Sequence, residues 1–181
     1  GVSTHKSEEE FCAKLHKELK KKWPKLLTII IPRHIERCNQ IIESLDKYKL
    51  KIHKHSSKKT INKKVDIYLV DTFGETKFFL KRCPIVFLGG SLIEHGGQNP
   101  IEAARFGCKV LHGPNISNFT EVYELLKKYN ISSLINQNKE AVLKVKKILS
   151  KKSSPNSDIF KLKALGKNVL DKNYKELVKY I

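Results

Sequence analysis

The sequence predicts an α/β fold, a doubly wound parallel sheet flanked by helices. Three observations predict it. Short runs rich in β-branched residues recur along the chain, at 26–31, 66–70, 85–88, 109–111 and 131–134. Stretches with apolar residues at helical spacing separate them, and that alternation is the signature of βαβ units with parallel strands. The strongest runs are continuous rather than alternating, which is how strands covered on both faces read.

Taken in order, Ser7-Glu8-Glu9-Glu10 reads as a capping box opening a helix from 7 to about 22. Phe11, Leu15 and Leu19 share one face of it, acids fill its first turn and Lys20 to Lys22 its last, as the helix dipole favours. Pro24 ends it. Leu26 to Ile31 is a buried strand, Pro32-Arg33-His34 a turn, Ile35 to Leu45 a helix and Lys51 to His55 a weak strand. After a polar loop from Ser56 to Lys64 come a strand (Asp66 to Val70), a turn (Asp71 to Gly74) and a helix to about Lys81. Ile85 to Leu88 is a strand, followed by a glycine-rich loop and a helix from about Pro100 to Phe106. Lys109 to Leu111 and Ile131 to Leu134 are strands, and the helices near Asn118–Lys128 and Lys139–Leu149 follow them. A Ser/Pro break at 153–156 precedes terminal helices over about 155–181, and residues 1–181 read as one domain.

Length and composition agree: 181 residues with 40% apolar content suit one domain with a real core. No run of about twenty apolar residues could form a membrane-spanning helix, and no secretory signal pattern opens the chain. Cys12, Cys38, Cys83 and Cys108 are scattered without metal-ligand spacing and read as reduced thiols. With no methionine, the chain reads as a piece of a longer protein whose initiator lies elsewhere. The net charge of +18 invites a nucleic-acid reading, but only four of the 36 basic residues are arginines, the usual readers of bases. The lysines are spread along the whole chain. A solvated basic surface is the first reading, an anionic membrane surface the second, and nucleic acid the third.

In doubly wound sheets the ligand sits beyond the carboxyl ends of the strands. That rule selects three loops: Pro32 to His34, Asp71 to Glu75, and Gly89 to Glu102. Gly89, Gly90, Gly96 and Gly97 bracket a loop running into a helix, where backbone N–H groups and the helix start suit a phosphate or sugar carboxylate; tight turns alone are the competing explanation. Glu102 in the first helical turn either offsets the dipole or accepts ribose hydroxyls. Asn99 caps the helix, holds ligand, or both. Pro100 fits the first turn. Arg33, a rare arginine after a buried strand, can grip a phosphate bidentately or make a surface ion pair. Glu75 opens a helix, where an acid is ordinary. His34, His95 and His112 fall on these loops without metal-clamp spacing, so no metal is expected.

Together these segments resemble a family. Ser3-Thr4-His5 before the acidic helix, Ile31 to His34, Asp71 to Glu75, Gly89-Gly90-Ser91 and Gly96 to Glu102 occur in the order found in bacterial 3-deoxy-D-manno-oct-2-ulosonic acid (Kdo) transferases. Phe106-Gly107, Gly113-Pro114 and Asn118-Phe119 extend the likeness. It implies a two-domain GT-B glycosyltransferase, inverting and metal-independent. This chain would be its C-terminal Rossmann-like domain, inactive alone because the N-terminal acceptor domain and its general-base glutamate are absent. The family moves Kdo from CMP-Kdo to a lipid A precursor, which implies an anionic inner-membrane surface and the cytoplasmic face of that membrane as its setting. By the family pattern CMP contacts Pro32, Arg33, Phe73, Gly74, Glu75, Asn99, Pro100, Ile101 and Glu102, with Gly89, Gly90, Gly96 and Gly97 as a phosphate or sugar loop. Phe73 stands where methionine is usual, and Lys6 replaces an acid common after Ser3-Thr4-His5. The alternatives are a domain using a UDP-sugar, or a basic nucleic-acid-binding module.

Overall fold

A computed structural model describes residues 1–57, 59–62 and 64–150. The terminal helices expected over 155–181 lie outside the described residues. Among the described residues seven parallel strands and six helices follow one another in the order β1 Val2–Thr4, α1 Glu8–Lys20, β2 Thr28–Pro32, α2 Cys38–Asp46 (entered through a 3-10 turn, Ile35–Arg37), β3 Ile52–Lys54, β4 Ile67–Leu69, α3 Thr76–Leu80, β5 Ile85–Phe87, α4 Ile101–Arg105, β6 Lys109–His112, α5 Thr120–Lys128, β7 Ser132–Leu134 and α6 Asn138–Ser150. The strand order is β1-β2-β4-β3 in one group and β5-β6-β7 in the other. A parallel bridge between Val2 and Leu88 joins the groups side by side.

Alternate side chains of the buried strands serve opposite faces. Ile30, Ile67, Leu69, Phe87 and Leu111 pack under α1, α2 and α6 together with Cys12, Ala13, Ile41, Leu45 and Val142. Val86, Leu88 and Val110 face the other way, against Leu80, Ala103, Ala104, Tyr123 and Leu126 from α3, α4 and α5. Ile31, Tyr68 and Val70 pack with Phe79 of α3 on that same side. This two-sided burial, at about 1.5–3 kcal/mol for each large aliphatic side chain, explains why the central runs lack polar alternation.

Two local expectations change. Strand β1 was not expected. Its three residues hydrogen-bond on both sides, Arg33 N to Thr4 O and Gly89 N to Val2 O, each at 2.9 Å. Nor does Ser7 act as a capping box: it sits at φ 78° with no side-chain cap bond. Glu8 reaches back instead, accepting from His5 N at 2.9 Å. The left-handed turn at Ser7 swings its hydroxyl off the helix axis and leaves Glu8 facing the sheet.

Candidate functional site

Because the chain winds one way from β1 through β2 and the other way from β5, the gap between β1 and β5 is the topological switch point, where such sheets open a crevice. Gly89 makes the two strands meet. A Cβ there would lie 2.2 Å from Ser3 O and 2.6 Å from Thr4 Cα, so close backbone approach, with no left-handed conformation involved, requires glycine. Beyond it the chain turns at Gly90, φ 66°.

The N–H groups of this turn are held by Glu8, a fully buried carboxylate. Its Oε2 accepts from Gly90 N at 2.8 Å, and its Oε1 from Ser91 N at 3.1 Å and Leu92 N at 3.0 Å. Gly89 N is used by Val2 O, and Gly97 N donates to Gly90 O at 2.8 Å. The expectation that the glycine pairs present free N–H groups to a ligand is therefore corrected for Gly89, Gly90 and Gly97. The anion in this nest is the protein's own side chain, and the loop is a braced wall of the crevice.

That crevice opens as a groove of about 700 Å³ lined by Ser3, Lys77, Gln98, Asn99, Ile101 and Glu102, among others. Asn99 Oδ1 accepts from Ile101 N at 2.9 Å, so its oxygen caps α4 and its amide nitrogen remains for other partners. Pro100 precedes the first helical residue. Glu102 is exposed and faces Lys77 Nζ at 3.7 Å across the groove. An apolar cavity of about 170 Å³ lies among Leu19, Ile29, Phe79 and Val145; with no charged side chain in its lining it is poorly suited to a nucleotide.

Pro32, Arg33 and Phe73 to Glu75 do not line the groove; they stand at the ends of β2 and β4 on its approach. Pro32 is buried at the end of β2, while the Arg33 side chain is exposed and, among the described residues, has no carboxylate partner. Phe73 is 73% exposed, an unusual place for a phenyl ring, and Gly74 turns the loop at φ 87°. Glu75 is fixed from two sides: Thr72 Oγ1 donates to its Oε2 at 2.5 Å, and His55 Nε2 lies 2.8 Å from the same oxygen. The Thr72 hydrogen bond, the largest influence, outweighs the opposing effect of burial and, with the His55 charge and hydrogen bond, holds the Glu75 carboxyl below its ordinary range. His55 is itself anchored through Nδ1 to Tyr68 OH at 2.6 Å.

The sequence reading missed His5, Glu8, His55 and Tyr123. Tyr123 OH donates to Gln98 O at 2.8 Å, tying α5 to the groove wall. Glu8 carried a signal in hindsight, an acid placed to bury itself in a helix that begins at a strand end. His34 is exposed beside Glu36, 3.4 Å away, and His112 is buried with its Nδ1 on Gly113 O at 2.8 Å. Among the described residues no three His, Cys, Asp or Glu side chains gather as metal ligands.

No family model matches the sequence. The chain is 36% identical over 126 residues to a 3-deoxy-D-manno-octulosonic acid transferase of Haemophilus influenzae, covering 70% of this chain and 30% of that protein. It is 32% identical over 183 residues to the transferase of the same name from Rickettsia felis, covering 99% of this chain and 38% of that one. The chain thus spans between 30% and 38% of the length of these curated relatives. The crystal structure of the C-terminal CMP-Kdo binding domain of WaaA from Acinetobacter baumannii superposes with a TM-score of 0.80 at 25% identity, over 87% of this chain and 82% of that one.

Proposed function

Since the chain belongs to the 3-deoxy-D-manno-octulosonic acid transferase family, we propose that it is the donor-binding domain of such an enzyme and holds CMP-Kdo at the β1/β5 switch point. The observation that carries this reading is the groove of about 700 Å³ beside Asn99 to Glu102, with an exposed phenyl ring on its approach and an arginine that has no carboxylate partner among the described residues. Phe73 packs against the cytosine, with Pro32 and Gly74 shaping that end. Glu102 accepts the ribose hydroxyls, and Asn99 adds its amide. Arg33 grips the phosphate.

In the transfer, an acceptor hydroxyl oxygen forms a bond to the anomeric carbon while the bond from that carbon to the phosphate oxygen breaks. CMP leaves with the electron pair. The hydroxyl proton goes to a glutamate base in the part of the enzyme outside this chain. This domain contributes stabilisation of the departing phosphate charge through Arg33, and the reading calls for no metal. The acceptor is a lipid A precursor, and the +18 charge suits both that phosphorylated acceptor and an anionic inner-membrane surface at its cytoplasmic face. Among the described residues no helix is long and apolar enough to cross a membrane.

Amide NMR with CMP and UDP in competition tests the reading. CMP is expected to shift resonances at Arg33, at 73–75 and at Asn99, Ile101 and Glu102 at lower concentration than UDP, while the chain alone transfers no sugar. A preference for UDP assigns the groove to a UDP-sugar enzyme, and silence at all three segments sinks the site. Tight, steeply salt-dependent binding of oligonucleotides would instead favour the nucleic-acid alternative.

A further inference from the structure

Two histidines, His5 and His95, meet above Gly90, with His34 beside His5. The His5 ring lies 4.3 Å from the His95 ring and 6.1 Å from the His34 ring, centroid to centroid. A side-chain carbon placed on Gly90 would have three nitrogens as its nearest neighbours: His95 Nδ1 at 3.2 Å, Gln98 Nε2 at 3.4 Å and His5 Nε2 at 3.5 Å. His5 Nε2 and Thr4 Oγ1 are the two buried side-chain polar atoms without a hydrogen-bond partner among the described residues. Buried polar nitrogens are costly unless an acceptor reaches them. We propose that His5, His95 and Gln98 form a notch over the Gly90 Cα that takes an anionic oxygen, a phosphate or carboxylate oxygen of the sugar nucleotide. The proposal rests on the donor-site reading above, and Gln98 is the shared wall, since it lines both notch and groove.

Several features favour an anion. Three nitrogens lie 3.2–3.5 Å from the point that a Gly90 Cβ would occupy, so they face one small space. Glu8, the nearest carboxylate, has both oxygens occupied by backbone N–H groups below the notch. The Arg37 guanidinium is spent on Glu9, at 3.1 and 3.4 Å, so the histidines and Gln98 remain as donors. Gln98 is fixed by the Tyr123 bond to its carbonyl. Glycine at 90 keeps a Cβ from crowding these nitrogens. Burial first, and then His95, His34 and Arg37, hold His5 below its ordinary value, while Glu8 opposes them. An anionic oxygen in the notch opposes that shift, so His5 gains proton density on binding.

Imidazole nitrogen NMR of the 181-residue chain, titrated with cytidine, CMP, inorganic phosphate and free Kdo, decides the matter. CMP or Kdo is expected to move His5 Nε2 and His95 Nδ1, and cytidine to leave them in place. A response to CMP and phosphate assigns the phosphate oxygen; a response to Kdo alone assigns the sugar carboxylate. His5→Phe, which keeps the ring and removes Nε2, should weaken the responding anion about tenfold, the worth of one charge-assisted hydrogen bond, and leave cytidine binding unchanged. His95→Phe, at an exposed position, gives the same comparison should the first variant misfold. Backbone shifts at 73–75 and 99–102 with CMP, while both imidazoles ignore all three anions, overturn the notch and spare the donor site. Silence of those backbone segments sinks the donor site instead, and the notch then stands or falls on phosphate and Kdo alone.

Discussion

Replacing Glu8 by glutamine keeps the shape of the side chain and changes one atom. Each oxygen of the buried carboxylate now serves two N–H groups: Oε2 those of His5 at 2.9 Å and Gly90 at 2.8 Å, Oε1 those of Ser91 at 3.1 Å and Leu92 at 3.0 Å. A glutamine oxygen can keep one pair, and its NH2 group would then point donors at the other two N–H groups. Two N–H groups losing their acceptors, at about 1–3 kcal/mol each, put the loss at about 2–6 kcal/mol. That is a large share of the roughly 5–15 kcal/mol typical of a domain. Urea unfolding followed by far-ultraviolet circular dichroism measures it, the slope serving to check that the unfolded reference is unchanged. A loss below about 0.5 kcal/mol, the range of ordinary surface changes, would refute the claim that this carboxylate braces the switch point.

Three other outcomes are expected. His16 is buried between Thr28 Oγ1 at 2.9 Å and Asp66 Oδ1 at 3.4 Å, and burial, then the Lys20 charge, lowers its pKa to about 4. Lys20 already pairs with Asp66, so that carboxylate does not hold a second proton on His16. In the window from pH 6.5 down to about 4 the unfolded chain takes up a proton that the folded one refuses. His16 therefore costs nothing above that window and removes about 3 kcal/mol of stability across it as pH falls; His16→Gln should flatten that slope in urea midpoints measured at several pH values, and an unchanged slope contradicts the assignment. Gly89→Ala drives a methyl into the backbone of Ser3 and Thr4, where no side chain can yield; a cost of at least about 1–3 kcal/mol is expected from overpacking, and wild-type thermal stability would rule out the close approach. Phe73→Ala should leave the urea midpoint within about 0.5 kcal/mol of wild type because the ring is exposed, yet weaken CMP by about 5- to 150-fold if the base stacks on it; calorimetric titration with equal affinities removes Phe73 from the site.

Most of the architecture was legible in the sequence. The runs at 66–70, 85–88 and 109–111 became β4, β5 and β6 within a residue or two, because strands buried on both faces cannot tolerate polar alternation. The three loops picked by the strand-end rule all fall at the carboxyl ends of β2, β4 and β5. The residues between those loops were not legible. Asn99 and Glu102 share a groove with Ser3 and Lys77, segments far apart in the chain and undistinguished in composition. His55 fixes Glu75 across 19 intervening positions, and only the pairing of β3 beside β4 brings them together.

The sequence by itself determined the layer order, since burial and the right-handed parallel crossover act along the chain and leave their mark in its local pattern. Tertiary structure alone decided the switch point. Val2 to Thr4 has no apolar run to announce a strand; it becomes β1 because β2 and the end of β5 supply hydrogen bonds on both sides. Three of the four Glu8 partners lie more than eighty residues away, so the glycine loop that reads as an open anion nest is already holding the protein's own carboxylate. Local pattern reports what each segment must bury. Which buried groups satisfy one another is settled only when the two halves of the sheet close together.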